Sequence, residues 1–171
     1  MAKSSVDQFV SKKLILLFCI AVVVILLDQV TKQIVVEKFY LNESISVIQG
    51  FFNFTYIRNT GAAFGMLADA PALFRVPFFI AIPLIAVFII FSMFRKLPKD
   101  NVFMASALAL IVGGALGNLI DRIRYGFVVD FLDFHWNYQW HYPAFNVADA
   151  AICIGVGMIL IDTFRYPEGH H

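Results

Sequence analysis

Four stretches of this chain are apolar for long enough to cross the hydrocarbon core of a bilayer, which takes roughly 20 residues at about 1.5 Å each. They run over residues 11–31, 72–94, 102–120 and 147–164. The expected architecture is an α-helical integral membrane protein with four transmembrane helices, forming one membrane domain over residues 1–171 with outer loops at 33–71 and 121–146. The composition agrees, since 60% of the residues are hydrophobic and only 15% charged, far from the balance of a soluble domain. A net charge of +1 gives no reason to expect nucleic acid as a partner. Nineteen Phe, six Tyr and two Trp point instead to membrane lipid, because amphipathic rings collect at headgroup level.

The first span has the look of a secretory signal, with Lys3, Lys12 and Lys13 ahead of an apolar run from Leu14 to Leu27. No small-x-small cleavage site follows, and the polar DQVTK at residues 28–32 reads as a helix end, so a retained span is expected. The LLFC at residues 16–19 is a chance match to a lipid-attachment box, because Phe18 is too bulky before the cysteine. Lys and Arg in short loops favour the cytoplasm. Lys3, Lys12 and Lys13, then Arg95, Lys96 and Lys99, then Arg165 place both termini inside and the two long loops outside. Lys38, Arg58, Arg122 and Arg124 weaken that bias without reversing it.

The outer loops carry pattern of their own. SISVIQGFFNFTYIRN is rich in β-branched and aromatic residues around Gly50 and reads as a short hairpin. Gly61 and Gly65 in the following RNTGAAFG permit turns and close backbone approach. In FVVDFLDF an extended chain puts Val128, Asp130, Leu132 and Phe134 on one face. The cluster HWNYQWHY reads best as an interfacial belt.

Polar groups concentrate at the outer margins of spans three and four. Asn118, Asp121, Arg122, Asp130, Asn146 and Asp149 all lie there, an expensive place for such side chains and therefore a site by default. Gly113 and Gly117 form a GxxxG that lets helices approach closely. Asn118 and Arg122, four residues apart, share a helix face, whereas Asp121 lies off it and is free to cap, to pair with Arg124 or to meet solvent. Asn146 and Asp149 have the spacing of an N-cap and an acid at the third helical position, a purely structural role for Asp149. Should Asp130 face Asp149, the two carboxylates cannot both ionise cheaply, and the pair would hold one proton for acid and base work on water.

Other chemistries fit poorly. There is no HExxH or CxxC, and Cys19 and Cys153 lie singly within apolar spans, where inert burial is expected. His135 and His141 with Asp133 form a conceivable metal site, but their spacing matches no ligand motif, so neither metal nor cofactor is expected. Ser106 has no Lys or His placed to activate it. His170 and His171 have the look of a tag remnant and are set aside. Two other classes stay open from the residues alone. A proton-coupled transporter would use the carboxylates as a relay, although charges cluster at span ends rather than at the midplane, and a non-catalytic scaffold would use Asp149 only as a cap.

Taken in order, DQVTK at 28–32, RNTGAAFG at 58–65, GGALGNLIDR at 113–122, VVDF at 128–131 and FNVADAAI at 145–152 resemble the motif series of the bacterial lipoprotein signal peptidases, or signal peptidase II. The resemblance covers nearly the whole chain. It implies an aspartic endopeptidase of the bacterial inner membrane that cleaves diacylglyceryl-modified prolipoproteins just before the lipidated cysteine. Asp130 and Asp149 would be the catalytic pair. Asn59, Asn118, Arg122 and Asn146 would line the pocket, with Gly61 in the same supporting set, and Asp28 and Lys32 would order the outer end of span one. The resemblance further implies a small extracytoplasmic β-sheet cradle, a mobile amphipathic surface helix in the AAFGMLADAPALF segment, inhibition by globomycin-type cyclic peptides, and a monomer.

Overall fold

The computed structural model describes residues 5–61, 67, 70–98 and 100–165. Four helices carry the apolar stretches: α1 (Ser5–Lys38), α2 (Ala72–Lys96), α3 (Val102–Tyr125) and α4 (Val147–Arg165). Each is long and apolar enough to cross a membrane. Helix α3 is the hub, packed against α1, α2 and α4. It is also the helix with small residues, and Ala105, Ala107, Leu108 and Ala109 are fully buried on it. The other three turn large apolar side chains outward, among them Phe18, Phe88 and Phe164, the surface that lipid requires.

Glycines set how closely these helices meet. A Cβ added at Gly113 would lie 3.0 Å from the Ala21 Cα of α1, and one at Gly155 would lie 2.6 Å from the Ala107 carbonyl oxygen. At Gly117 the missing Cβ makes room for a carboxylate, since it would stand 2.7 Å from Asp28 Oδ2. The GxxxG expected to be a packing feature therefore seats α1 along α3, and one of its glycines also accommodates a polar group.

Helix α1 is longer than the apolar run suggests. At 34 residues it extends about 50 Å, and DQVTK is not its end. Asp28 and Lys32 are one turn apart and pair within the helix at 2.8 Å, so their polarity is satisfied without breaking it. The added turns carry Val35 and Val36 to the β-structure, where Val35 packs with Tyr56, Val129 and Phe131.

That β-structure is one four-stranded antiparallel sheet in the order β1 (Ser44–Ile48), β2 (Phe52–Asn59), β3 (Val128–Trp136), β4 (Trp140–His141). The first two strands are the expected hairpin, turning near Gly50 at φ +76°, a conformation that favours glycine. Strand β3 follows α3 directly through Gly126 at φ +77°, whose amide donates to the Arg122 carbonyl in an αL cap. The chain thus leaves a membrane helix and enters the centre of the sheet within three residues. The amphipathic helix expected in the first loop, with Gly65, falls mostly outside the described residues, as do His170 and His171. Both cysteines, expected to be buried, are free and face outward.

Gly117→Ala should lower stability by about 1–3 kcal/mol through overpacking against Asp28. Gly157→Ala, where a Cβ meets nothing within 4 Å, should leave the unfolding temperature unchanged or raised. Thermal unfolding of the two variants in detergent checks the contrast.

Candidate functional site

The sheet and the bundle meet where Asp130 and Asp149 lie. Asp130 is in the middle of β3, paired across to Ile57 of β2, and is 2% exposed. Beyond β3 the returning chain bridges back, Phe131 and Leu132 donating their amides to the Phe145 carbonyl at 3.0 and 2.9 Å. This bridge delivers the next residue, Asn146, to the side of Asp130 just as α4 begins. Asp149 then sits in the first turn of α4 and is only partly buried.

Amides tie the two carboxylates together. Asn146 Nδ2 donates to Asp130 Oδ1 at 2.7 Å and to Asn118 Oδ1 at 3.2 Å. Asn118 Nδ2 in turn donates to Asp149 Oδ1 at 2.7 Å. Asn59 Nδ2 reaches the other oxygen of Asp130 at 2.9 Å, and Asn59 Oδ1 accepts from the Gly61 amide at 3.0 Å. Asp149 is also a helix cap: its Oδ2 accepts from the Asn146 amide, while its own amide donates to Asn146 Oδ1 at 2.9 Å, a reciprocal capping box. The capping and the chemical readings of Asp149 therefore hold together in one geometry.

Electrostatics separate the pair. Burial pushes the Asp130 carboxyl up to about 7, and the negative charge of Asp149 adds to the rise, against hydrogen bonds from Asn59 and Asn146 and the more distant Lys32 cation.

A second polar layer lies beneath. Lys32 is 3% exposed, its Nζ 2.8 Å from Asp28 and 3.0 Å from Asp121 while donating to Asn118 Oδ1 at 2.9 Å. Asp28 Oδ1 accepts the Ala148 amide of α4 at 2.9 Å. Asp121, which the helical wheel left free to meet solvent or pair with Arg124, is 1% exposed. It accepts instead from the Val129 amide of β3 at 3.0 Å. The wheel missed this because it knew only α3's own faces, whereas Lys32 and β3 approach from outside it. Gln29, not singled out from sequence, belongs to the same layer, donating to Asp28, the Gly117 carbonyl and Asp121. Its signal was its place three residues before Lys32, a spacing that makes the two neighbours on the helix surface.

Arg122 behaves as its spacing from Asn118 predicts. Its guanidinium points to the Asn118 and Gly61 carbonyls at 3.5 and 3.4 Å and lies 5.2 Å over the Phe79 ring of α2. A cleft lined by Thr60, Val76, Phe79 and Arg122 opens there between α2 and α3. All nine residues expected at the site lie in this one connected region, the two carboxylates at its centre.

The family described as Signal peptidase (SPase) II matches residues 20–165. Among curated relatives, the lipoprotein signal peptidase of Syntrophotalea carbinolica is 50% identical over 88% of this chain and 91% of its own length. That of Syntrophus aciditrophicus is 52% identical over 90% and 95%. A bacterial membrane enzyme solved by the in meso method at 2.3 Å superposes with a TM-score of 0.80 at 38% identity, covering 89% of both chains.

Lys32→Met should be severely destabilising, by about 3–5 kcal/mol, because it leaves Asp28 and Asp121 buried without their cation. Thermal unfolding in detergent measures it. The loss should shrink when Asp121→Asn is added, since one uncompensated charge is then removed.

Proposed function

Because the chain belongs to the signal peptidase II family, and is thus a membrane peptidase that removes signal peptides from bacterial prolipoproteins, we propose that Asp130 and Asp149 are its catalytic dyad. The observation that carries this reading is their joint hydrogen bonding through Asn118 and Asn146, with Asp130 raised to about 7 by burial and by its neighbour. Two carboxylates so linked share one proton between them. The proton resides on Asp130, the more buried partner. Asp149, open to one side, accepts a proton from water as the water attacks the scissile carbonyl. Asp130 then protonates the leaving amine. Neither step calls for metal or cofactor.

The same geometry supports roles for the surrounding residues. Asn59 and Asn146 orient Asp130, and Asn118 orients Asp149. Gly61 and Arg122 border the cleft from which the substrate backbone is held, and Asp28 and Lys32 secure α1 beneath the pair. The substrate is the prolipoprotein with a diacylglyceryl thioether on its cysteine, cut just before that residue. A lipid-anchored chain stays at the bilayer surface, and the dyad lies at the end of the bundle next to the sheet, away from Lys13, Arg95 and Lys96. Basic residues at the opposite end support cytoplasmic termini and an outward-facing site in the inner membrane. The chain acts as one membrane domain and as a monomer, and a globomycin-type peptide would compete for the same cleft.

Asp130→Asn and Asp149→Asn should each lower cleavage of a diacylglyceryl-modified prolipoprotein at least about a thousandfold while remaining folded. Wild type should leave an unlipidated precursor uncut. Cleavage persisting in either folded variant would remove the dyad.

The pH profile gives an independent check. Activity that needs Asp130 protonated is present below about 7 and falls as pH rises through that value. Asn59 favours the ionised form, so Asn59→Ala should move the alkaline limb of kcat/KM to higher pH. A limb that stays or moves down contradicts the assignment of the proton.

A further inference from the structure

At the far end of the sheet, away from the carboxylate pair, three side chains converge that the peptidase chemistry does not use. Alternation along β3 places Asp133 and His135 together on the face opposite Asp130. The β3–β4 pairing then sets His141 directly across from His135. The two imidazoles stack with centroids 5.0 Å apart and planes 20° from parallel. His141 Nδ1 lies 3.1 Å from Asp133 Oδ1, and His135 Nδ1 lies 3.9 Å from Asp133 Oδ2. One candidate ligand atom from each residue falls within 4.8 Å of the others.

His135 supplies the second observation. It is 2% exposed, yet among the described residues neither ring nitrogen finds a hydrogen-bond partner. An imidazole always carries at least one N–H and, when neutral, one acceptor, and buried polar groups are nearly always satisfied. The amide oxygen of Asn53, the cross-strand neighbour of Asp133, is buried and unpartnered as well, while its amide nitrogen donates to Asp133 at 3.1 Å. Orphaned nitrogen and oxygen acceptors around one carboxylate call for a cation.

We propose that Asp133, His135 and His141 bind one divalent transition-metal ion of the zinc class, which clips the β3–β4 hairpin to the sheet. The donor set selects that class: two imidazoles and a carboxylate suit zinc, cobalt, nickel or copper, whereas magnesium and calcium take oxygen shells. The spacing suits it too. Bonds of about 2.0–2.1 Å in tetrahedral geometry put ligand atoms about 3.3 Å apart, close to the 3.1 Å separation already present. His141, 48% exposed at its side chain, is free to turn and close the remaining gap, and Asn53 Oδ1 or water fills the fourth position. The role is structural. Strand β4 has only two residues, and the hairpin carries Trp136, Tyr138, Trp140 and Tyr142, all exposed, so an ion at its base fixes the placement of that aromatic surface.

The test uses the full chain in detergent, stripped with chelator, with His170 and His171 replaced by alanine in every arm so that terminal imidazoles take no part. Zinc is titrated calorimetrically, and cobalt is followed by its visible d–d absorption. The expected result is one ion per chain, a four-coordinate cobalt spectrum, and a zinc-dependent rise in unfolding temperature. His141→Ala and the size-conserving His141→Gln, at an exposed position that the fold does not rely on, should each weaken binding at least about tenfold and abolish the rise. Absence of stoichiometric binding overturns the proposal. So does binding that persists undiminished in both His141 variants, since the ion would then sit elsewhere, for example on Asp130 and Asp149.

Discussion

Lys32 is the cation around which the outer end of this bundle is assembled. Its ammonium is buried between Asp28 and Asp121 and touches Asn118, and those partners reach on to α4 and β3. Asp28 holds the first turn of α4 by the Ala148 amide, Asp121 holds the start of β3 by the Val129 amide, and Asn118 holds Asp149. Burying one positive and two negative groups is costly unless every lone pair and proton is used, and here the neighbouring backbone and Gln29 use them. The network yields one fixed relation among three helices and a strand, and Asp130 and Asp149 inherit their separation from it.

Much of this was legible in the chain. Four apolar runs gave the helices, and the β-branched stretch around Gly50 gave the first hairpin, because both patterns depend on the solvent each face meets. Asn118, Arg122, Asn146 and Asp149 stood out as polar groups at the margins of apolar spans, with helical spacing placing Asn118 and Arg122 on one face and Asn146 and Asp149 at a helix start. What escaped had its cause in a partner from elsewhere in sequence. DQVTK read as a helix end because polarity inside an apolar span looks like an exit; it is the buried side of a helix that continues. Asp121 read as solvated because its partners, Lys32 and β3, are not on its own helix. Cys19 and Cys153 read as buried because apolar spans were treated as interiors, whereas α1 and α4 show much of their surface to lipid. Asp133, His135 and His141 were named together from the sequence but set aside because they match no linear ligand motif; their convergence comes from strand pairing.

The site divides labour between a rigid and an accessible half. Asp130 is held on both oxygens by Asn59 and Asn146 and has lost its water, which raises its affinity for a proton. Asp149 keeps an open side while anchoring the start of α4. Asp149 thus caps its helix while its carboxylate stays accessible, and the Asn118 and Asn146 amides link the two carboxyl groups.

The extra turns of α1 bear on lipid as well as on fold. Of its full length of about 50 Å, the stretch between Lys13, whose Nζ binds the Leu97 and Pro98 carbonyls, and Val35, which packs on the sheet, extends about 33 Å, close to a hydrocarbon core of about 30 Å. A strut held at those two points is a ruler: it sets the height of the polar outer end of the bundle above the acyl chains. A thicker or thinner bilayer would then change the depth at which that outer end meets a lipid-anchored chain, making membrane thickness itself a parameter of the protein's work.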